Sequence, residues 1–283
     1  MRSVSRGYRK RVGAIRGADT GADRGAGRGA GRGVGHSVHA GVGHAVDAVE
    51  ATQQAAHSAA EAIGEQLTTV LEEVKPRLRG WLHAVTSPLT LAAGVVLIVF
   101  SPTATSRVGS AVFVASGVLL FTVSAFYHRG TWSPRVWAFL RRADHASIFV
   151  LIAGSYTPFT LLLIEGDARV VLLSIVWGGA LLGMTFRILW QSAPRWLYMP
   201  IYLALGWAAV FFADDFASRG GTAVLVLIAV GGGLYTLGGV VYGFRRPNPF
   251  PSWFGFHEVF HTLTIAAFIT HYVGVSVATY SLR

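Results

Sequence analysis

Trp81-Leu-His-Ala-Val-Thr-Ser-Pro-Leu-Thr-Leu-Ala-Ala-Gly-Val-Val-Leu-Ile-Val-Phe100 runs without an acid, a lysine or an arginine. A helix rising 1.5 Å per residue needs about 20 such residues to cross the hydrocarbon core of a bilayer. Inside lipid every backbone N–H and C=O must be satisfied within the segment, which a helix does by itself. This stretch therefore decides the fold class: an all-α integral membrane protein.

Six more apolar runs follow, at about 107–128, 143–164, 169–189, 196–213, 222–243 and 257–280. The loops between them are short, so 76–283 is expected to be an antiparallel bundle of seven transmembrane helices. Gly231-Gly-Gly233 and Gly238-Gly239 should let helices approach closely, and Pro88, Pro158 and Pro200 should bend three of them. The composition agrees, with 52% hydrophobic and only 13% charged residues in 283. With no cysteine, disulfides and thiolate metal sites are excluded, leaving His, Asp and Glu as the strong metal ligands.

Upstream of Pro76 the character changes. Residues 1–44 are mostly Arg, Gly and Ala, as in Arg24-Gly-Ala-Gly-Arg-Gly-Ala-Gly-Arg32, and cannot bury enough apolar surface to offset their ordering entropy. They read as a disordered basic tail, with His36, His39 and His44 available for loose metal contact or for nothing. Residues 45–75 contain good helix formers and read as an amphipathic helix lying on a membrane or on a partner. No secretory signal is seen before residue 80, so the first span is expected to direct insertion.

Charge sets the orientation. Arg129, Arg135, Arg141 and Arg142 lie between spans 2 and 3, Arg187 and Arg195 flank the loop between spans 4 and 5, and Arg245 and Arg246 lie between spans 6 and 7. The alternate loops hold Glu165, Asp167, Asp214 and Asp215 with single arginines. The positive-inside rule then places the N-terminus in the cytoplasm and the C-terminus outside. It also accounts for much of the formal charge of +10, so a nucleic-acid partner is not expected; membrane lipids are.

On that topology His83, His128, Asp144, His145, His257 and His261 all fall near the cytoplasmic face. Ionisable groups at membrane depth are costly and usually face the bundle interior, where they serve function. His257 and His261 are four apart in His257-Glu-Val-Phe-His261, so on a helix they share a face; Ser124 stands one turn from His128 in the same way. His128, His257 and His261 with a fourth position open would form a zinc site of the catalytic type. Asp144 and Ser124 could hold water there, and either Asp144 or Glu258 could accept its proton. Asp144 could instead pair with Arg141 or Arg142 or cap its helix. For His83, His145 and His271 a hydrogen-bonded core or interfacial place is the simpler reading. Trp81, Trp196, Trp207 and Trp253 read as interface anchors and core filling.

Five motifs in order, Ser124-x-x-x-His128, Arg142-Ala-Asp-His-Ala-Ser-Ile-Phe149, Gly154-Ser-Tyr-Thr-Pro-Phe159, Gly206-Trp207 and His257-Glu-x-x-His261, resemble the bacterial hemolysin III family. That family is related to the progestin and adiponectin receptors and, more widely, similar to the alkaline ceramidases. The resemblance covers about residues 76–283. It implies seven helices with the N-terminus inside, and zinc near the cytoplasmic face on the residues matching His128, His257 and His261, with Ser124 and Asp144 matching the other polar positions. Hydrolysis of a lipid amide or ester, ceramide foremost, is the activity it implies. The family's name comes instead from red-cell lysis, read as pore formation. Ser155 stands where relatives often have Thr.

Three functions stay open on the sequence. One is a zinc-dependent hydrolase of a membrane lipid. Another is a non-enzymatic membrane protein, either a cytolytic pore or a metal-stabilised sensor or receptor. The third, an intramembrane protease, rests on His-Glu-x-x-His alone.

Overall fold

A computed structural model of the chain describes residues 49–61, 63 and 76–281. The chain divides into two units, Met1–Thr69 and Val70–Arg283. In the first, 49–61 are helical, with His57 Nδ1 3.4 Å from Glu61 Oε1 one turn on. The basic tail expected over 1–44, and most of 62–75, lie outside the described residues.

Among the described residues the second unit holds seven α-helices: α1 Trp81–Val99, α2 Ala104–Arg129, α3 Pro134–Leu163, α4 Gly166–Leu189, α5 Arg195–Gly206, α6 Ala213–Phe244 and α7 Phe256–Tyr280. A 3-10 turn, Ala208–Phe212, joins α5 to α6. Among the described residues the sole bridge of β type is Phe250 to Phe254. Six helical segments are long and apolar enough to cross a membrane, the fifth being Arg195–Phe244 taken whole. That segment is not one rod. Trp207 Nε1 donates to Thr236 Oγ1 at 2.9 Å, and Met199 and Leu203 lie against Gly239, so α5 and its 3-10 turn run antiparallel beside α6.

Three helix ends have an identifiable chemical cause. α2 begins with a capping box, Ser106 N donating to Thr103 Oγ1 and Thr103 N to Ser106 Oγ, each at 3.1 Å. Pro134 is pre-set for the first position of α3, where its missing N–H costs nothing. α5 ends early at the Gly206–Trp207 step, where Tyr156 takes over the freed backbone groups: its hydroxyl donates to Gly206 O at 2.7 Å and accepts from Ala209 N at 2.8 Å. The fifth expected span, 196–213, is therefore a short α-helix completed by a 3-10 turn.

Three other expectations are corrected. α3 starts nine residues before the expected 143, so Arg135, Arg141 and Arg142 belong to the helix and not to a loop. Asp144 and His145 consequently sit about three turns inside α3. Of the sixth-span glycines, Gly231 and Gly239 do meet neighbours, the His271 ring and Met199, whereas Gly232 and Gly233 face open space.

α3 is the centre of the bundle, packing against α2, α4, α5, α6 and α7. Phe149 of α3 and, beside it, Phe113, Phe121 and Phe268 fill the interior, with the rings of Phe113 and Phe268 stacked at 4.6 Å. The outer surface is the reverse of a soluble protein's. Leu182, Leu189, Phe211 and Phe244 are each at least three-quarters exposed, an apolar belt suited to lipid contact.

At one end of the bundle Gly80 adopts φ 80°, turning the chain into α1. A Cβ there would lie 2.9 Å from His128 Cβ and 2.8 Å from Arg129 Cγ. Only glycine allows both that backbone conformation and that approach, which brings the start of α1 against the end of α2. The polar residues gather at this end.

Candidate metal centre

Three imidazoles converge from two helices. His128 is in the last turn of α2; His257 and His261 occupy the first two turns of α7. Their ligand-capable atoms all lie within 4.8 Å of one another. His128 Nε2 is 3.1 Å from His257 Nε2. Nitrogens on neighbouring corners of a tetrahedral site with bonds of about 2.0–2.1 Å stand roughly 3.3–3.4 Å apart, so this edge is already near the required length. His261 is 2% exposed, and its Nδ1 has no hydrogen-bond partner among the described residues. A buried polar nitrogen in that state is expensive unless a ligand completes it. Three imidazoles so placed can hold a metal ion.

Asp144 and Ser124 stand beside them. Asp144 Oδ2 lies 3.9 Å from His128 Nε2, and the Ser124 hydroxyl lies beside the same carboxylate. Ser124 is buried one turn before His128 on α2, while Asp144 comes from α3. The carboxylate thus faces the imidazoles, and among the described residues it forms no ion pair with Arg141 or Arg142. It does not cap α3 either, since Ser133 holds that position.

The family profile described as Haemolysin-III related matches residues 71–272. The chain belongs to the haemolysin III family. It is 30% identical over 200 residues to the Hemolysin-3 homolog of Bacillus subtilis (strain 168), covering 70% of this chain and 89% of that protein. Hemolysin-3 of Bacillus cereus is 28% identical over 182 residues, 63% of this chain and 83% of the relative. The Adiponectin receptor protein of Drosophila melanogaster is 28% identical over 188 residues, 59% of this chain and 41% of that longer protein.

In this haemolysin III family member the remaining polar residues divide clearly. His83, at the start of α1, stacks on His261 with centroids 3.9 Å apart and planes 15° from parallel, and meets Phe121 edge-on at 5.0 Å. Neither of its ring nitrogens has a hydrogen-bond partner among the described residues. It is a wall of the imidazole cluster, not an interfacial residue. His145 and His271 follow the simpler reading: His145 Nδ1 is 2.8 Å from Arg141 O, and His271 Nε2 is 3.3 Å from Ile228 O.

Glu258 anchors the start of α7. Fully buried, it accepts from Gly255 N at 2.9 Å as the third residue of α7, and from Arg79 Nε at 2.9 Å. Its carboxylate holds the helix start, bonded to a backbone N–H on one oxygen and to a guanidinium on the other. Sequence reasoning missed Arg79. The spacing of Gly255 and Glu258 carried half the signal, that of a helix-start carboxylate.

Proposed function

We propose that this protein is a zinc-dependent hydrolase of a lipid amide or ester, embedded in the cell membrane with seven crossings, its N-terminus in the cytoplasm and its C-terminus outside. On this reading residues 76–283 are the membrane domain, 45–75 an amphipathic helix and 1–44 a basic tail. Antiparallel pairing of α5 with α6 supports the seventh crossing, and the arginines at the 129–142, 187–195 and 245–246 end support the orientation. The observation that carries the reading is the meeting of His128, His257 and His261 with a carboxylate and a hydroxyl beside them.

The three histidines would hold the zinc. When bound, zinc supplies Lewis acidity that polarises a carbonyl and brings the pKa of water toward ~7. Asp144 accepts the proton of the attacking water and returns it to the departing nitrogen or oxygen, so the scissile C–N or C–O bond is replaced by C–O from water. Ser124 orients the Asp144 carboxylate. His83 packs on His261 and excludes water from that side. The membrane lipid enters from the bilayer, with its acyl chain between helices.

Zinc per chain, measured by elemental analysis of detergent-purified protein, tests this directly. About one ion in the wild type is expected, as a three-histidine site holds one, and clear loss in His128→Ala, His257→Ala and His261→Ala. A folded wild type without metal rejects the mechanism.

A second reading is favoured by the names of the relatives: a metal-stabilised receptor, as the Drosophila protein's name suggests, or a lytic pore, as that of Bacillus cereus does. The outward faces of α1, α4 and α6 are lined by residues such as Val95, Leu182 and Val230, which suit lipid and not an aqueous lumen. Dye release from liposomes separates these readings: leakage without lipid products supports the pore, and products support the enzyme.

A further inference from the structure

Gln191-Ser-Ala-Pro194 turns the chain from α4 into α5, and a cleft of about 290 Å³ opens beside it. Arg141 of α3, Arg187 of α4, Arg195 of α5 and Arg245 at the end of α6 all line it, with Tyr198 and Tyr242 between them. No Asp or Glu does.

Arg187 is the deepest of these, only 3% exposed. Its Nη1 donates to Trp190 O at 3.2 Å, and its guanidinium carbon lies 4.2 Å from the centre of the Tyr198 ring. Its Nε is buried with no hydrogen-bond partner among the described residues, as is Nη1 of Arg195, whose guanidinium lies 5.0 Å from the Tyr242 ring. The ion pairs among the described residues include neither of these arginines, nor Arg141. Tyrosine faces ease the burial of a guanidinium but do not neutralise it. A charge buried in this way is costly unless an anion completes it.

We propose that this cleft binds a phosphate group. Planar guanidinium forks match the oxygens of phosphate in pairs, and a phosphate offers more acceptor oxygens than a carboxylate to cations arriving from four separate helices. α5 also begins here behind Pro194 with no side-chain cap, so the positive end of its dipole adds to the field. The site shares no residue with His128, His257 and His261, and it does not rest on the proposed hydrolysis. Its phosphate is either that of an anionic phospholipid headgroup or free in solution.

Calorimetric titration of the full chain distinguishes these, with inorganic phosphate against detergent-purified protein in one arm. In the other arm the protein sits in phosphatidylcholine nanodiscs with or without phosphatidic acid, and lipid retention is read by native mass spectrometry. Binding of inorganic phosphate identifies a soluble ligand; retention of phosphatidic acid without it identifies a headgroup. In either case Arg187→Gln and Arg195→Gln should each weaken binding about tenfold or more, the loss of a charge-assisted hydrogen bond. Zinc content should stay at the wild-type value in both variants. Should Arg187→Gln fail to fold, the half-buried Arg195 decides alone. No binding in either arm, or undiminished binding in Arg195→Gln, overturns the proposal.

Discussion

Glu258 and Arg79 are 179 residues apart in the chain and 2.9 Å apart in the fold. The pair fastens the turn before α1 to the first turn of α7, and the backbone repeats the link: Arg77 N donates to Ser252 O at 3.1 Å and Leu78 N to Trp253 O at 3.2 Å. Arg79→Ala leaves the Glu258 carboxylate buried and short of a partner. Breaking one side of a buried pair costs about 3–5 kcal/mol, and the partial exposure of Arg79 places this one at the lower end. Thermal unfolding in detergent should show a loss of about 3 kcal/mol, while metal content per folded chain should be unchanged because neither residue is among the three proposed ligands.

His83 gives a sharper test of the imidazole cluster. Removing its ring in His83→Ala uncovers one face of His261, and loss of such supporting contacts typically weakens metal binding about 10- to 100-fold. His83→Phe keeps a flat ring without a donor nitrogen and should bind metal as the wild type does. Competition with a metal-chelating dye measures both. Equal losses in the two variants would show that His83 contributes a nitrogen and not a surface.

Asp144→Asn keeps the shape beside His128 but removes the proposed base. Metal should remain at the wild-type level while hydrolysis of a lipid amide falls by about 10²- to 10⁴-fold, the usual contribution of a positioned acid or base. Product analysis by mass spectrometry reads the rate, and unchanged turnover withdraws the role given to Asp144.

Packing between α2 and α3 carries Ser124 and His128 toward Asp144. A Cβ on Gly109 would lie 2.9 Å from Pro158 Cα, a backbone atom that cannot step aside. Overpacking costs about 1–3 kcal/mol, against roughly 1 kcal/mol gained from the helix propensity of alanine. Gly109→Ala should therefore lower the unfolding temperature, whereas Gly178→Ala, with open space at its Cβ, should leave it unchanged or raise it.

The apolar helices were legible because lipid demands long uninterrupted runs, and the His257/His261 pair because a period of four is visible in one dimension. The addition of His128 and Asp144 needed only the up-and-down order of the runs. What stayed hidden depends on atoms far along the chain. The first nine residues of α3 carry charge, so apolarity says nothing of their helicity. The early end of α5 is made tolerable by Tyr156, on another helix. The Arg79 partner of Glu258 lies 179 residues away, and the burial of Arg187 depends on the Tyr198 ring and the turn that follows.

His128 and His257 are separated by 129 positions, and α7 brings two of the three imidazoles. A ribosome makes α7 after α1 to α6, so until α7 joins the bundle a nascent chain holds His128 without the other two imidazoles of the cluster. On the proposed function, metal capture is therefore a late event in biogenesis, and a loaded site certifies that α7 has reached its place beside α2.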